Sequence, residues 1–247
     1  AMEGVGINVI VPGEQETKSG CVENIQEANL CADLFRKNSI QGIVIGAMNF
    51  GDEQAAAIAV QKARLDVPVL IFGCQEEEML TMKTQRRDAF CGLLSIGEAL
   101  RQIGVRYSVS PRPICFPTDK SFKEDLDWFV RVCRVVNGIK NARYGQLGAR
   151  PEAFWTCRFD EKQLARLGPS TVVLDLSEAF AAVGKLKDDD DDVKKALKQI
   201  GEYADTTAVA SAALQKIAKF EVFLRRWREE NALDALAIQC WTSIQAN

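Results

Sequence analysis

Apolar runs of strand length alternate along the chain with stretches of helical period, which predicts an α/β protein with mainly parallel sheet. Residues 7–11 read as a first strand, closed by Pro12-Gly13, and 43–47, bounded by Gly42 and rich in branched residues, as a second. Residues 69–72, between Pro68 and Gly73, make a third, and 107–109 a weaker fourth that runs into Ser110-Pro111-Arg112-Pro113. Between them Ile25, Ala28, Cys31, Ala32 and Phe35 share one helical face, as do Ala57, Val60 and Ala63, and again Leu93, Ile96, Ala99, Leu100 and Ile103.

The stretch 111–117 breaks this pattern, and Thr118-Asp119 offers an N-cap for a helix striped by Phe122, Leu126, Phe129, Val130, Cys133 and Val136 and closed at Asn137-Gly138. A domain boundary is expected here. The reading gives a first α/β, Rossmann-like domain over 1–117, and a linker helix with the first part of a second α/β domain over 118–247. In the second domain strands are expected at 144–147, 171–176 and 235–241, with a helix after Pro151, a polar excursion, and a helix over 210–227. A strand so near the start, no Met at position 1, and a last strand running into Thr242-Ser243-Ile244 without a closing helix make the chain read as an excerpt, truncated at both ends. The fold class is therefore two doubly wound, mainly parallel-sheet domains, the second incomplete.

Composition narrows the chemistry. With 31 Lys+Arg against 34 Asp+Glu and no basic block, nucleic acid is excluded as the expected partner. No apolar run reaches the roughly 18 residues that span a bilayer, and the start lacks signal-peptide features, so no membrane is expected and the location reads as cytoplasmic. There is no histidine, which removes the usual general base and commonest metal ligand and leaves carboxylates, amides and Arg. The eight cysteines form no C-x-x-C pair, and most lie in apolar stretches as reduced core thiols do.

In open parallel sheets ligands sit beyond the carboxyl ends of strands, and those positions here are polar. The second strand exits into Met48-Asn49-Phe50-Gly51-Asp52-Glu53, the third into Cys74-Gln75-Glu76-Glu77-Glu78, the first of the second domain into Gly148-Ala149-Arg150-Pro151-Glu152, and the last ends Gln239-Cys240-Trp241. Amides, carboxylates, an Arg and aromatic faces at one rim suit a polyhydroxylated ligand. Asp52, Glu53 and Glu76 to Glu78 serve equally as acids favoured by a helix dipole. Gly148 and Pro151 are explained by a tight turn and a helix start. Arg150 is placed either to hold a carboxylate, phosphate or sulfonate or as a plain surface residue. Gln239 and Trp241, two apart, point to one side of their strand, one of them toward a ligand and one into packing. The run 188–192 of five aspartates reads as a solvated loop and helix start, and neither a dinucleotide fingerprint nor a Walker A sequence is present.

Glu16-Thr17-Lys18-Ser19-Gly20-Cys21-Val22-Glu23-Asn24, Asn49-Phe50-Gly51-Asp52-Glu53, Arg86-Arg87-Asp88-Ala89-Phe90-Cys91-Gly92, Cys133-Arg134-Val135-Val136-Asn137-Gly138 and Gly148-Ala149-Arg150-Pro151-Glu152-Ala153-Phe154 occur in that order. In these segments the chain resembles the L-fucose isomerase-related proteins, a group that includes the L-arabinose isomerases. The resemblance implies an aldose–ketose isomerase with two doubly wound N-terminal domains and a C-terminal domain, working as a homo-oligomer. It implies a divalent metal, commonly manganese, that bridges two sugar oxygens while a carboxylate moves a proton through an enediol. The family's ligands, two acids and a histidine, lie later than the strand expected to end at Trp241, so the catalytic residues and the metal site are expected beyond Asn247. Within this chain the resemblance marks Arg150, Glu152 and Gln239 as substrate-facing, with Trp241 beside them, and Met48, Asn49 and Phe50 as a rim that reaches a neighbouring subunit's site. On this reading the chain supplies substrate walls and oligomer contacts and is inactive by itself. The residues leave two alternatives: a non-catalytic sugar-binding or sensor module, and an α/β domain whose polar rims only cap helices.

Overall fold

In the computed structural model, which describes residues 6–77 and 79–246, two parallel three-stranded sheets form around the apolar runs. The chain divides into two compact units between Gly138 and Ile139.

In the first unit the sheet order is β1-β2-β3, with β1 Ile43–Ala47, β2 Val69–Cys74 and β3 Ser108–Cys115. Every residue of the central strand β2 is buried, which accounts for its unbroken apolar run. Alternation along it feeds two cores. Val69 and Ile71 join Ile43, Ala57, Leu93 and Leu100, contributed by β1, by helix α2 (Glu53–Ala63) and by helix α3 (Ala89–Gln102). Leu70 and Phe72 join Phe122, Leu126 and Phe129 of helix α4 (Lys120–Lys140). Helix α1 (Ile25–Lys37) packs on α2 through Ala28 and Cys31 against Ala55 and Ala59, small residues that allow close approach.

Four expectations for this unit are corrected. Residues 7–11 form no strand: among the described residues β1 pairs with β2 alone, and Val11 is 64% exposed. An apolar run becomes a strand only where a partner takes up its amides and carbonyls. Second, β3 does not end before the prolines. Its register with β2 passes from Ile71↔Val109 to Gly73↔Ile114, so residues 110–113 bulge out, and an edge strand tolerates Pro111 and Pro113 because their missing donors need face no neighbour. Third, α4 continues through Asn137-Gly138 to Lys140. Fourth, Ile25 lies outside the buried stripe of α1, at 43% exposure. The composition break at 111–117 precedes α4, and by packing that helix goes with the first unit.

In the second unit the order is β5-β4-β6, with β4 Arg143–Leu147, β5 Ser170–Leu174 and β6 Ala235–Ile238. One face is covered by helices α6 (Leu176–Gly184) and α8 (Ser211–Glu230), where Leu147, Leu176, Ala179, Phe223 and Trp227 meet. Val173, pointing oppositely, is 59% exposed. Helix α7 (Asp191–Tyr203) rests on α8 through Val193, Ala196, Ala218 and Val222.

Here too the sequence reading changes. No helix starts at Pro151; a 3-10 turn at Trp155–Cys157 precedes helix α5 (Glu161–Arg166). The polar excursion holds two helices, α6 and α7. The aspartate run is tied down rather than solvated throughout: Asp190 caps α7 by accepting from the Asp192 amide at 2.9 Å, Asp192 pairs with Arg226 at 2.5 Å, and Asp188 with Lys219 at 2.6 Å. The strand at 171–176 stops at Leu174 because Asp175 caps α6, and β6 stops at Ile238, followed by the short helix α9 (Ser243–Ala246) where no closing helix is expected. Cys31, Cys74 and Cys115 are buried, but Cys21, Cys91, Cys157 and Cys240 are exposed, so core thiols are a minority. Burial pushes the Cys31 and Cys133 thiols up to about 11, which keeps them protonated near neutral pH.

Candidate functional site

All three strands of each sheet run parallel, so each sheet gathers its outgoing loops along one edge. In the second unit this brings the expected residues together. Gly148 leaves β4 with φ +78, and a Cβ there would lie 2.5 Å from the Gln239 side-chain oxygen, so the turn requires glycine. Gln239 lies just past β6 rather than within a strand, and spans the two strand ends. Its Oε1 accepts from the Ala149 amide at 2.8 Å and its Nε2 donates to the Trp241 carbonyl at 2.5 Å.

The loop after Gly148 folds around Arg150. Nη1 donates to the carbonyls of Pro151 at 2.6 Å, Glu152 at 2.9 Å and Phe154 at 3.1 Å. A helix would aim those carbonyls along its axis, and the guanidinium takes them instead. Among the described residues every side-chain hydrogen bond of Arg150 leaves from Nη1, and the residue as a whole is exposed. The folded loop carries Phe154 against Trp241, with ring centroids 4.8 Å apart, and Trp241 remains 46% exposed. Glu152 is exposed beside them. The result is a surface that brings together an exposed arginine, an amide and an aromatic wall. Phe154, which completes that wall, was not singled out from its position; its aromatic neighbour Trp155 also holds Arg158 over its ring at 4.1 Å.

In the first unit Met48 is half-buried and Asn49 and Phe50 are exposed after β1. Asp52 caps α2 by accepting from the Gln54 and Ala55 amides, so its role is the helix-capping one. Glu76 accepts from the Arg87 and Asp88 amides at 2.9 Å each, and Arg87 pairs with Glu77 at 2.5 Å, which holds its guanidinium more firmly protonated. These are the links that position alone did not reveal.

Among the described residues no three His, Cys, Asp or Glu gather as a metal-holding group, so they do not fit the divalent ion that the resemblance implies. Nor is any described helix long and apolar enough to cross a membrane.

The profile of the family "Fucose/sulfoquinovose isomerase, N-terminal domain" matches residues 1–140, ending where α4 ends. The chain belongs to the fucose/sulfoquinovose isomerase family. It is similar to sulfoquinovose isomerases of Priestia aryabhattai and Priestia megaterium, each 25% identical over 228 residues, covering 89% of this chain and 48% of the relative. A sulfoquinovose isomerase of Alkalicoccus urumqiensis is 27% identical over 202 residues, 81% of this chain and 43% of its own. The chain thus spans about half the length of the curated relatives it matches.

Proposed function

We propose that the chain is part of an aldose–ketose isomerase acting on a sulfonated sugar of the sulfoquinovose kind, and that the β4/β6 rim holds the sugar's anionic end. The observation carrying this reading is the exposed guanidinium of Arg150: Nη1 is fixed by three carbonyls, and among the described residues Nη2 and Nε make no hydrogen bond, in the loop that carries Phe154 against Trp241. A sulfonate offers acceptor oxygens to such donors, and a pyranose C–H face packs on an indole. Gln239 retains one amide hydrogen for a hydroxyl after serving Ala149 and Trp241. Met48, Asn49 and Phe50 supply a second wall to a neighbouring copy in a homo-oligomer. The doubly wound domains, the second completed by further chain, and a cytoplasmic location belong to the same proposal.

The proton transfer through an enediol and the manganese or other divalent ion belong to residues outside this chain. The residues here bind and orient. The test is ketose formation from sulfoquinovose by the full-length protein, with and without manganese, beside residues 1–247 alone. Turnover by the full-length protein and none by the shorter chain is expected; turnover by residues 1–247 alone contradicts the assignment of the chemistry elsewhere.

A further inference from the structure

The loop after β1 is fixed from three directions. The Phe50 amide donates to the Arg87 carbonyl at 2.7 Å, and Arg87 Nη1 donates to the Met48 carbonyl at 3.3 Å. Helix α3 comes so near at Gly92 that a Cβ there would lie 2.8 Å from the Asn49 carbonyl oxygen and 3.4 Å from Phe50 Cα. Arg87 is itself held, its amide on the Glu76 carboxylate and its Nη2 on Glu77. The contacts from Arg87 and Gly92 all reach main-chain atoms of the β1 loop, so they set its shape, while the Met48 side chain packs on the core around Phe72 and Phe122 and Asn49 Nδ2 donates to the Phe50 carbonyl at 3.1 Å. Phe50 is 54% exposed. A phenyl ring left in water on a braced loop gains little for folding, and suits presentation to something else.

We infer that Arg87 is a positioning residue, which does not touch the sugar but fixes the conformation in which Met48, Asn49 and Phe50 meet it. The inference rests on the reading that this rim forms a sugar wall. Misplaced walls weaken binding common to ground and transition states, which raises KM and spares kcat, whereas lost folded protein lowers kcat and spares KM.

The experiment compares Arg87→Met and Arg87→Lys with the parent full-length protein in two readouts: amide hydrogen exchange at Phe50 without sugar, and KM and kcat for sulfoquinovose with manganese. For Arg87→Met, exchange at Phe50 faster by roughly tenfold against unchanged β2 amides is expected. KM is expected to rise roughly tenfold with kcat within about twofold, and Arg87→Lys to lie between, since its ammonium keeps a donor near Met48 and Glu77. Unchanged exchange at Phe50, or a fall in kcat at constant KM, overturns the inference. If the parent full-length protein turns over no sugar, the isomerase reading fails, and the exchange result then decides the positioning role: faster supports it, unchanged overturns it.

Discussion

Gln239 holds Ala149: the side-chain oxygen after β6 accepts the backbone amide after β4 at 2.8 Å, so two strand ends far apart in sequence share one turn. Gln239→Ala removes this acceptor and the donor to Trp241. A loss of about 0.5–1.5 kcal/mol is expected, read from the urea unfolding transition. Gln239→Glu keeps the acceptor but sets a carboxylate against the Trp241 carbonyl, and is expected to cost more.

Gly148→Ala strains the same turn twice. Its φ of +78 disfavours a side chain, and the added Cβ would sit 2.5 Å from Gln239 Oε1 and 3.0 Å from Leu176 Cγ. A destabilisation of about 1–3 kcal/mol follows, measurable as a lower melting temperature. Gly138→Ala, with nothing within 4 Å of its Cβ in the last turn of α4, is expected to leave that temperature unchanged or raise it slightly.

The α7–α8 clamp sets a pH dependence. Hydrogen bonding from Lys219 holds the Asp188 carboxyl below its usual range, and Arg226 does the same for Asp192. Because these folded-state values are depressed, their stabilisation is full above the unfolded aspartate value of about 3.9 and is lost as pH falls from there through the folded values. Both pairs are solvent-facing and screened. Thermal melts of Asp188→Asn/Asp192→Asn are expected to differ from the parent near neutral pH and to converge with it in acid; parallel curves throughout contradict the clamp.

The sequence made the buried strands legible where burial leaves an unambiguous mark. Residues 43–47 and 69–72 are unbroken apolar runs because helices cover both faces of that sheet. It misled where a partner decides the outcome: 7–11 has strand composition without a pairing strand, and the prolines of β3 look like a break until the edge position and bulge are known. The loop at Arg150 hid for another reason. Pro151 favours a helix start, whereas in the structure the Arg150 guanidinium takes three carbonyls of that stretch. Arg150, Glu152, Gln239 and Trp241 were legible as strand-end residues, while the bracing of Met48, Asn49 and Phe50 by Arg87 depends on a contact 39 positions apart.

The most direct measurement is the ratio of kcat/KM for sulfoquinovose to that for its non-sulfonated analogue, in the full-length protein and in Arg150→Met. A charge-assisted contact contributes about 1.5–3 kcal/mol, so the ratio is expected to fall by about 10- to 150-fold in Arg150→Met, with turnover of the uncharged sugar largely retained. An unchanged ratio, or a full-length protein that converts neither sugar in the presence of manganese, contradicts the account.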